Sequence, residues 1–268
     1  MIEFKTIAYK DLQEIQSLQP EGWSNIIQDI EFYINHSFCN PVKAIVNEQI
    51  AGIGTSIIFN HTAWIAHIIV GRDYRNKGIG GQIVHYLLET LRNNSIETCS
   101  LIATELGKPV YLKAGYSTVS EYLFFEREKP RINCRVSNNL HTFKEKYRSQ
   151  IYELDKKISG EDRVKLLNGY LEHSILYVDN DQVSGYYIPG IKEGLIFAET
   201  PEAGLELMKL KYEKTNRAVL PSENTVACEF LRQHGFVQTA AKGTRMIVGK
   251  ELNWKPEMIY SRIGGNLG

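Results

Sequence analysis

Apolar and polar residues alternate along the first half of the chain in a way that predicts strands and helices in a definite order. Strand-like patterns lie at 2–7, 42–47, 50–58, 62–70, 97–103 and 116–127. Helical spacing of apolar residues lies at 9–18, 25–35, 79–92 and 108–114. A group of three consecutive strands, followed by strands that alternate with helices, is typical of an α/β fold with a mixed sheet.

The second half of the chain predicts a similar alternation. Helices are predicted at 140–157, 161–172, 202–214 and 223–233. Strands are predicted at 174–179, 183–189, 194–198, 217–221 and 236–249. Between the halves, residues 128–139 are polar and unpatterned and include a proline at 130. We therefore predict two domains, 1–130 and 131–268.

A short internal repeat supports a duplication. Residues 110–116 read VYLKAGY and residues 230–236 read FLRQHGF, so each segment is an amphipathic helix that ends in glycine and an aromatic residue. A helix ended by glycine is common, so the similarity of these two segments is by itself weak evidence of a duplication. The elements before it also match in order. We predict a duplicated α/β domain, each copy with a mixed sheet and helices on both faces.

Composition limits the class of protein and of partner. The chain has 268 residues, of which 43% are hydrophobic and 23% charged, as in ordinary globular proteins. Lysine plus arginine (31) equals aspartate plus glutamate (31), which argues against a bulk nucleic-acid or membrane partner. No apolar run reaches the ~20 residues of a membrane span. With no secretory leader and four scattered cysteines, we expect a cytoplasmic protein without a metal site.

The segment between the predicted strand 62–70 and the predicted helix 79–92 has the features of an anion site. Arg72, Arg75 and Lys77 precede a helix that opens with glycines at 78, 80 and 81. Free amides at a helix N-terminus, with no Cβ in the way, can hold a pyrophosphate. The pattern matches neither the P-loop nor the dinucleotide fingerprint. The alternative is a glycine-rich turn that only caps the helix.

These residues resemble a known signature. Arg75-Asn76-Lys77-Gly78-Ile79-Gly80 is similar to the Arg/Gln-x-x-Gly-x-Gly/Ala loop of the GCN5-related N-acetyltransferases, the GNAT superfamily. The resemblance implies a GNAT-like acyl-CoA N-acyltransferase fold, with acetyl-CoA (coenzyme A) as cosubstrate and no metal. The residues that it implies for cofactor binding are Ile68, Ile69, Val70, Arg75, Asn76, Lys77, Gly78, Ile79, Gly80, Gly81, Thr104 and Tyr111. Thr104 stands where the family often has asparagine, which puts one pantetheine contact in doubt.

A narrower resemblance covers the whole chain. The segments GWSN with Asp29, ATELGKPVYLKAGY, SGEDR (159–163) and PEMIYSRIGGNLG are similar to two-domain bacterial members, sometimes labelled YitH-like. It implies tandem folds with a degenerate second copy. At the position of the loop this copy reads LIFAETPEAG (195–204), and Leu231 stands at the position of Tyr111. The SGEDR turn is predicted either to offer polar groups to an acceptor pocket or to carry a helix cap and a solvated ion pair.

Acetylation of an amine by a thioester needs a neutral amine, a polarised carbonyl and a proton for the leaving thiolate. The backbone N–H of Val70 can polarise the carbonyl. Tyr111, at the family's tyrosine position, is the candidate acid, its alternative being a core tyrosine. Candidates for the base are His67, Glu105 and Asp29, and ordered water is a fourth possibility.

The sequence is compatible with three functions. The first choice is an acetyl-CoA-dependent N-acetyltransferase that acts on a primary amine of a small molecule or amino acid by direct attack in a ternary complex. The second is a non-catalytic acyl-CoA-binding regulatory protein, which would not need the Tyr111 hydroxyl. The third is an acetyltransferase of protein N-termini or lysines. As partners we expect a small-molecule amine, no nucleic acid and no membrane, with the chain a monomer or homodimer.

Overall fold

The computed structural model describes residues 2–128 and 137–268, and the chain forms two compact units. The first unit comprises residues 1–117 and 246–250, and the second comprises 118–245 and 251–268. The boundary that the sequence predicts, at residue 130, lies outside the described residues, as does most of the polar segment 128–139. The units divide earlier, after Ser117, and a segment from near the end of the chain belongs to the first unit.

The first unit is built on a mixed sheet. Its strands are β1 (Glu3–Thr6), β2 (Cys39–Val46), β3 (Gln49–Phe59), β4 (Thr62–Val70) and β5 (Thr98–Ala103). Its helices are α1 (Leu12–Gln16), α2 (Ile26–Asn35), α3 (Ile79–Asn93) and α4 (Lys108–Lys113). The strand order is β1-β2-β3-β4-β5, antiparallel as far as β4, with β5 parallel to β4. This mixed α/β architecture is the predicted fold class.

Helix α3 shows how the sequence pattern becomes a core. Its buried residues Ile79, Ile83, Leu87 and Leu91 recur at four-residue spacing and lie on one face. They pack in one cluster with residues of β2 to β5. Burying each of these side chains contributes roughly 1.5–3 kcal/mol. The helix that follows the anion loop is therefore firmly held by its own apolar face.

The predicted helix 9–18 is shorter than its pattern indicates. Residues Tyr9–Asp11 form a 3-10 turn, and α1 begins only at Leu12. The reason is Asp11, whose carboxylate accepts a hydrogen bond from the Ala8 N–H at 2.8 Å and pairs with Lys43 at 2.6 Å. An aspartate that bonds to nearby backbone N–H groups favours a cap or turn over a helix interior.

Gly249 lies in close contact with the backbone of Glu97. Its φ is +102°, and a Cβ there would lie 2.0 Å from the Glu97 carbonyl oxygen. We expect Gly249→Ala to lower the free energy of unfolding by about 3 kcal/mol, because strain and overpacking add. Gly169→Ala, with nothing within 4 Å, is the control and should change stability by less than about 1 kcal/mol. Equal denaturation midpoints for the two variants would contradict the described contact.

The second unit repeats the element order of the first. Its strands are β6 (Ser117–Glu126, which begins in the first unit), β7 (Leu140–Thr142), β8 (Ile175–Asp179), β9 (Gln182–Ile188), β10 (Leu195–Ala198), β11 (Arg217–Pro221), β12 (Val237–Gly249, which ends in the first unit) and β13 (Ile259–Ser261). Its helices are α5 (Arg148–Ser159), α6 (Val164–Leu167), α7 (Pro201–Lys214) and α8 (Thr225–Gln233). One sheet has the order β13-β10-β9-β8-β7, and β11 pairs antiparallel with β6.

Two predicted helices of the second unit are wrong in extent. The helix predicted at 140–157 starts at Arg148, since Leu140 to Thr142 pair with β8 instead. The helix predicted at 161–172 is reduced to the short α6 and a 3-10 turn at Leu171–His173. Gly169 interrupts it, and glycine costs a helix about 1 kcal/mol relative to alanine.

Three residues of the SGEDR turn, Ser159, Glu161 and Arg163, are buried inside the second unit, whereas Asp162 is exposed. Arg163 donates to both carboxylate oxygens of Asp155, at 3.0 and 2.5 Å, and the Tyr186 hydroxyl donates to the same carboxylate at 2.5 Å. Ser159 accepts a hydrogen bond from the Glu161 N–H at 3.0 Å. The alternative of a solvated ion pair is therefore wrong for Arg163, whose side chain is 2% exposed. Losing one partner of a buried ion pair costs about 3–5 kcal/mol, so this pair fixes the local fold.

Candidate active site

A slot opens in the first unit where β4 and β5 separate. The two strands pair in register only from Thr62–Thr98 to Trp64–Ser100, although β4 continues to Val70. Beyond Trp64, the β4 edge that faces β5 has no ladder partner in the described chain. Gly71 donates its N–H to Ala51 on the β3 side at 2.9 Å. Because successive N–H groups of a strand point to opposite edges, that of Val70 points into the slot.

A β-bulge shapes β4 at this slot. The register with β3 passes from Thr55–Ala66 to Ile53–Ile69, so that His67 and Ile68 both lie opposite Gly54. His67 has a φ of +51°, which is uncommon for a residue other than glycine. A bulge bends its strand and redirects side chains, and bulges are frequent beside active sites. The bulge brings the His67 ring to α2.

The loop after β4 ends in an open helix N-terminus. Residues Arg72–Tyr74 form a 3-10 turn, and Gly78 turns the chain into α3 with a φ of +79°. The first helical hydrogen bond runs from the Gln82 N–H to the Gly78 carbonyl at 3.1 Å. The amides of the first helical turn, at 79–81, therefore have no acceptor within the helix. A Cβ at Gly78 or Gly81 would meet nothing within 4 Å, so the approach to these amides is unobstructed.

Cationic side chains surround this helix N-terminus. The Arg75 Nε donates to the Val70 carbonyl oxygen at 3.1 Å, and the Lys77 Nζ donates to the Asp73 carbonyl oxygen at 2.8 Å. Both side chains are exposed. The hydrogen bond to Val70 holds Arg75 at the end of β4. Free amides, the positive end of a helix dipole and two cations favour a phosphate group at this place.

Tyr111 lies on α4, which follows β5. Its ring packs edge-on against Tyr116 with the centroids 5.9 Å apart, and burial raises the pKa of the Tyr111 hydroxyl to about 12. Thr104 accepts a hydrogen bond from the Gly107 N–H at 3.2 Å and so supports the start of α4. Glu105 is exposed beside it. The loop between β5 and α4 therefore carries two of the predicted residues, Thr104 and Glu105, and the helix α4 carries the third, Tyr111.

Two of the three candidate bases lie together. The His67 Nε2 is 3.3 Å from the Asp29 Oδ2, and its Nδ1 is 2.9 Å from the Tyr33 hydroxyl. Burial lowers the pKa of His67 to about 4. The Trp23 ring stands edge-on to His67 with the centroids 6.0 Å apart. Glu105, by contrast, has no contact with His67 or Asp29 among the hydrogen bonds and ion pairs of the described residues.

Sequence reasoning missed Tyr33. It lies four residues after Asp29 on α2, and residues four apart share one face of a helix. That spacing could have paired the two. The contact with His67 could not have been foreseen, since it depends on the bulge in β4.

The corresponding positions of the second unit are arranged differently. The Thr200 hydroxyl accepts a hydrogen bond from the Ala203 N–H at 3.2 Å and so caps α7. Glu202 accepts a hydrogen bond from the Tyr177 hydroxyl at 2.7 Å, and Glu199 pairs with Lys157. Leu231, the counterpart of Tyr111, is fully buried. These positions carry neither the cations nor the phenol of the first unit.

Two general properties hold for the described residues, 2–128 and 137–268. No helix among them is both long enough and apolar enough to cross a membrane. They also contain no group of three or more His, Cys, Asp or Glu side chains that could hold a metal ion.

Comparison with known families gives two matches along the chain. The model of the Acetyltransferase (GNAT) family matches residues 9–116. The model of an Acetyltransferase (GNAT) domain matches residues 151–261. An uncharacterised N-acetyltransferase of Bacillus subtilis, YobR, is 28% identical over 83 residues, which are 30% of this chain. The matched segment spans about a third (34%) of the length of that relative.

Solved structures show the same fold over the whole chain. A candidate acetyltransferase from Pyrococcus horikoshii superposes with a TM-score of 0.83 at 18% identity, covering 100% of this chain and 96% of the other. A GCN5-related N-acetyltransferase from Sphaerobacter thermophilus gives a TM-score of 0.64 at 12% identity, covering 95% and 98%. One from Anabaena variabilis gives 0.60 at 13% identity, covering 92% of this chain and 72% of that one. Both units therefore have relatives of one fold.

Proposed function

Because the chain belongs to the GNAT acetyltransferase superfamily, with two such domains in tandem, we propose that its first unit is the catalytic one. It binds acetyl-CoA and transfers the acetyl group to a primary amine of a small molecule or amino acid. The transfer is a direct attack within a ternary complex.

One observation carries this proposal: the slot beside β4 leads directly to an open helix N-terminus. The unpaired edge of β4 offers hydrogen-bonding groups to an extended amide-containing chain such as pantetheine. The amides of 79–81 and the two cations, Arg75 and Lys77, suit a pyrophosphate. In coenzyme A an extended pantetheine arm is followed by a pyrophosphate, which joins it to the adenosine. The geometry of the first unit therefore fits the pantetheine arm and the pyrophosphate of this cosubstrate.

The proposed step needs two groups at the thioester. The Val70 N–H, which points into the slot, would polarise the carbonyl oxygen. The amine nitrogen attacks the carbonyl carbon, a C–N bond forms and the C–S bond breaks. The Tyr111 hydroxyl gives its proton to the departing sulfur, and a base takes the proton that the nitrogen loses. With a pKa of about 12, Tyr111 holds its proton at neutral pH until a thiolate forms.

The experiment that tests the function follows free thiol. The full chain is mixed with acetyl-CoA and a panel of alkyl amines, amino acids and polyamines, and thiol release is compared with a blank that lacks the acceptor. We expect acceptor-dependent release. Tight CoA binding in calorimetry without release, with any acceptor including basic peptides, would instead favour a regulatory acyl-CoA-binding protein. Release with peptides alone would favour a protein acetyltransferase.

A further inference from the structure

The cluster of Asp29, His67 and Tyr33 has a defined direction of hydrogen bonding. An ionised carboxylate can only accept hydrogen bonds, so the His67 Nε2, 3.3 Å from Asp29, must carry the proton. In the neutral ring the Nδ1 is then an acceptor, and the Tyr33 hydroxyl donates to it at 2.9 Å. Both ring nitrogens are engaged. His67 therefore has no lone pair left to receive a proton from an amine.

Exposure separates the three groups further. The Tyr33 side chain is fully buried and that of His67 is 9% exposed, whereas the Asp29 side chain is 22% exposed. Trp23, whose ring lies beside His67, is 46% exposed. The Asp29 carboxylate and the accessible indole thus both lie beside His67, and a carboxylate attracts a cation by charge and an indole by its ring face. Asp29 is thus the member of the cluster that an ammonium can reach.

We propose that Asp29 binds the ammonium of a cationic acceptor and receives the proton that the nitrogen loses, and that His67 and Tyr33 are positioning residues. This rests on the proposed function of the first unit. The bound ammonium first releases one proton to solvent and becomes a neutral amine. In the transfer step this nitrogen forms the C–N bond as the C–S bond breaks, its next proton passes to an Asp29 oxygen, and the Tyr111 proton passes to the sulfur. Solvent then returns one proton from Asp29 to Tyr111, so both groups regain their starting protonation states.

The test compares Asp29→Asn with His67→Gln, in which the glutamine can still donate to Asp29 and accept from Tyr33. Asp29→Asn should lower kcat/KM by about 10²–10⁴, whereas His67→Gln should lose about tenfold or less. The loss in Asp29→Asn should also be larger for an alkyl amine, with a pKa of ~10.4, than for an α-amino group near ~8. A merely structural residue would not distinguish these acceptors.

Two outcomes would overturn the assignment. One is a loss in His67→Gln as large as in Asp29→Asn, and the other is undiminished turnover in Asp29→Asn. Calorimetry with CoA monitors folding, since neither residue touches the loop at 71–78. Absence of turnover in the unmodified chain would count against the proposed function instead.

A second inference comes from the end of the second unit. There, β8-β9-β10 followed by α7 and β11 corresponds to β2-β3-β4 followed by α3 and β5. In the first unit the edge of β4 that faces β5 opens into a slot. In the second, β13 pairs antiparallel with β10, at Ile196–Ser261 and Phe197–Ile259. A segment of the chain itself thus pairs with the edge of β10 that corresponds to the open edge of β4.

Several contacts hold β13 in this position. A Cβ at Gly204, in the first turn of α7, would lie 2.2 Å from the Tyr260 ring, so the ring covers that turn. The Asn224 amide donates to the Ile259 carbonyl at 3.1 Å. The buried Lys211 ammonium donates to the Gly194 carbonyl at 2.9 Å and also to the Ser261 hydroxyl.

Arg262 ties the end of this segment to β11, the strand on the side away from β10. Its N–H donates to the Val219 carbonyl of β11 at 3.4 Å, and its guanidinium pairs with Glu193 at 2.7 and 2.8 Å. We infer that residues 259–262 occupy in the second unit the place that the pantetheine arm takes in the first. The second unit therefore binds no CoA, and its slot is filled as part of the fold.

Calorimetry and hydrogen exchange on the full chain test this inference. We expect one CoA per chain, and slow exchange of the amides at 259–262 that saturating CoA does not change. Two CoA molecules per chain, or faster exchange at 259–262 with CoA, would overturn it. Zero CoA per chain would contradict the proposed function of the first unit.

Discussion

Replacing Arg75 and Lys77 together by glutamate will weaken CoA binding by about 10²–10⁴-fold. A hydrogen bond to a charged group contributes about 1.5–3 kcal/mol, and the double reversal removes two and adds repulsion. Each 1.4 kcal/mol is a factor of about ten in affinity. Both side chains are exposed, so the fold should be unaffected. Calorimetry with CoA measures the effect.

The matched control reverses two exposed lysines of the second unit, Lys144→Glu with Lys165→Glu. It changes the net charge of the chain equally. If binding depends on the local cations, the control keeps its affinity within about threefold at physiological salt, because it leaves the loop cations in place and salt screens other exposed charges. Equal losses in both variants would mean that long-range attraction and not the loop holds CoA. Undiminished binding in the loop variant would remove the pyrophosphate from this helix N-terminus.

The anion loop and helix α3 were predictable because their signals are local. Glycines at 78, 80 and 81 and a four-residue apolar period need no knowledge of distant residues. The strand at 140–142 was missed, since three residues become a strand only by pairing with β8. The same applies to β13, which consists of three residues paired to β10. Short strands of this kind are tertiary features.

The acceptor side of the candidate site illustrates a second limit of prediction from the sequence. Asp29 and His67 were both candidates for the base, but their contact depends on a bulge that places two residues opposite Gly54. A bulge changes the register without changing the apolar pattern on which strand prediction depends. Lys211 is a parallel case in the second unit. Lysine is rarely buried, and its burial depends on carbonyls from a distant loop.

Tyr111→Phe will lower the turnover of the first unit by about 10²–10⁴-fold while leaving CoA affinity nearly unchanged. The substitution removes only the hydroxyl and keeps the ring that packs against Tyr116. Without a proton donor the thiolate must leave unprotonated, which raises the barrier to C–S cleavage and lowers kcat. Because the pKa of Tyr111 is raised to about 12, the hydroxyl stays protonated up to about pH 11. The kcat profile should therefore show no loss from its ionisation below that pH.

Tyr116→Phe provides the matched control. The same atom is removed from the neighbouring ring, where the hydroxyl donates to the Cys99 sulfur at 3.1 Å in the core. We expect this variant to lose stability by about 1 kcal/mol but to keep kcat within about threefold, since its hydroxyl is directed at a buried sulfur. Thiol release is followed with both a slow and a fast acceptor, because protonation limits the rate only when the chemical step does. If both variants turn over like the unmodified chain with either acceptor, Tyr111 is a core tyrosine and the proton for the thiolate comes from solvent.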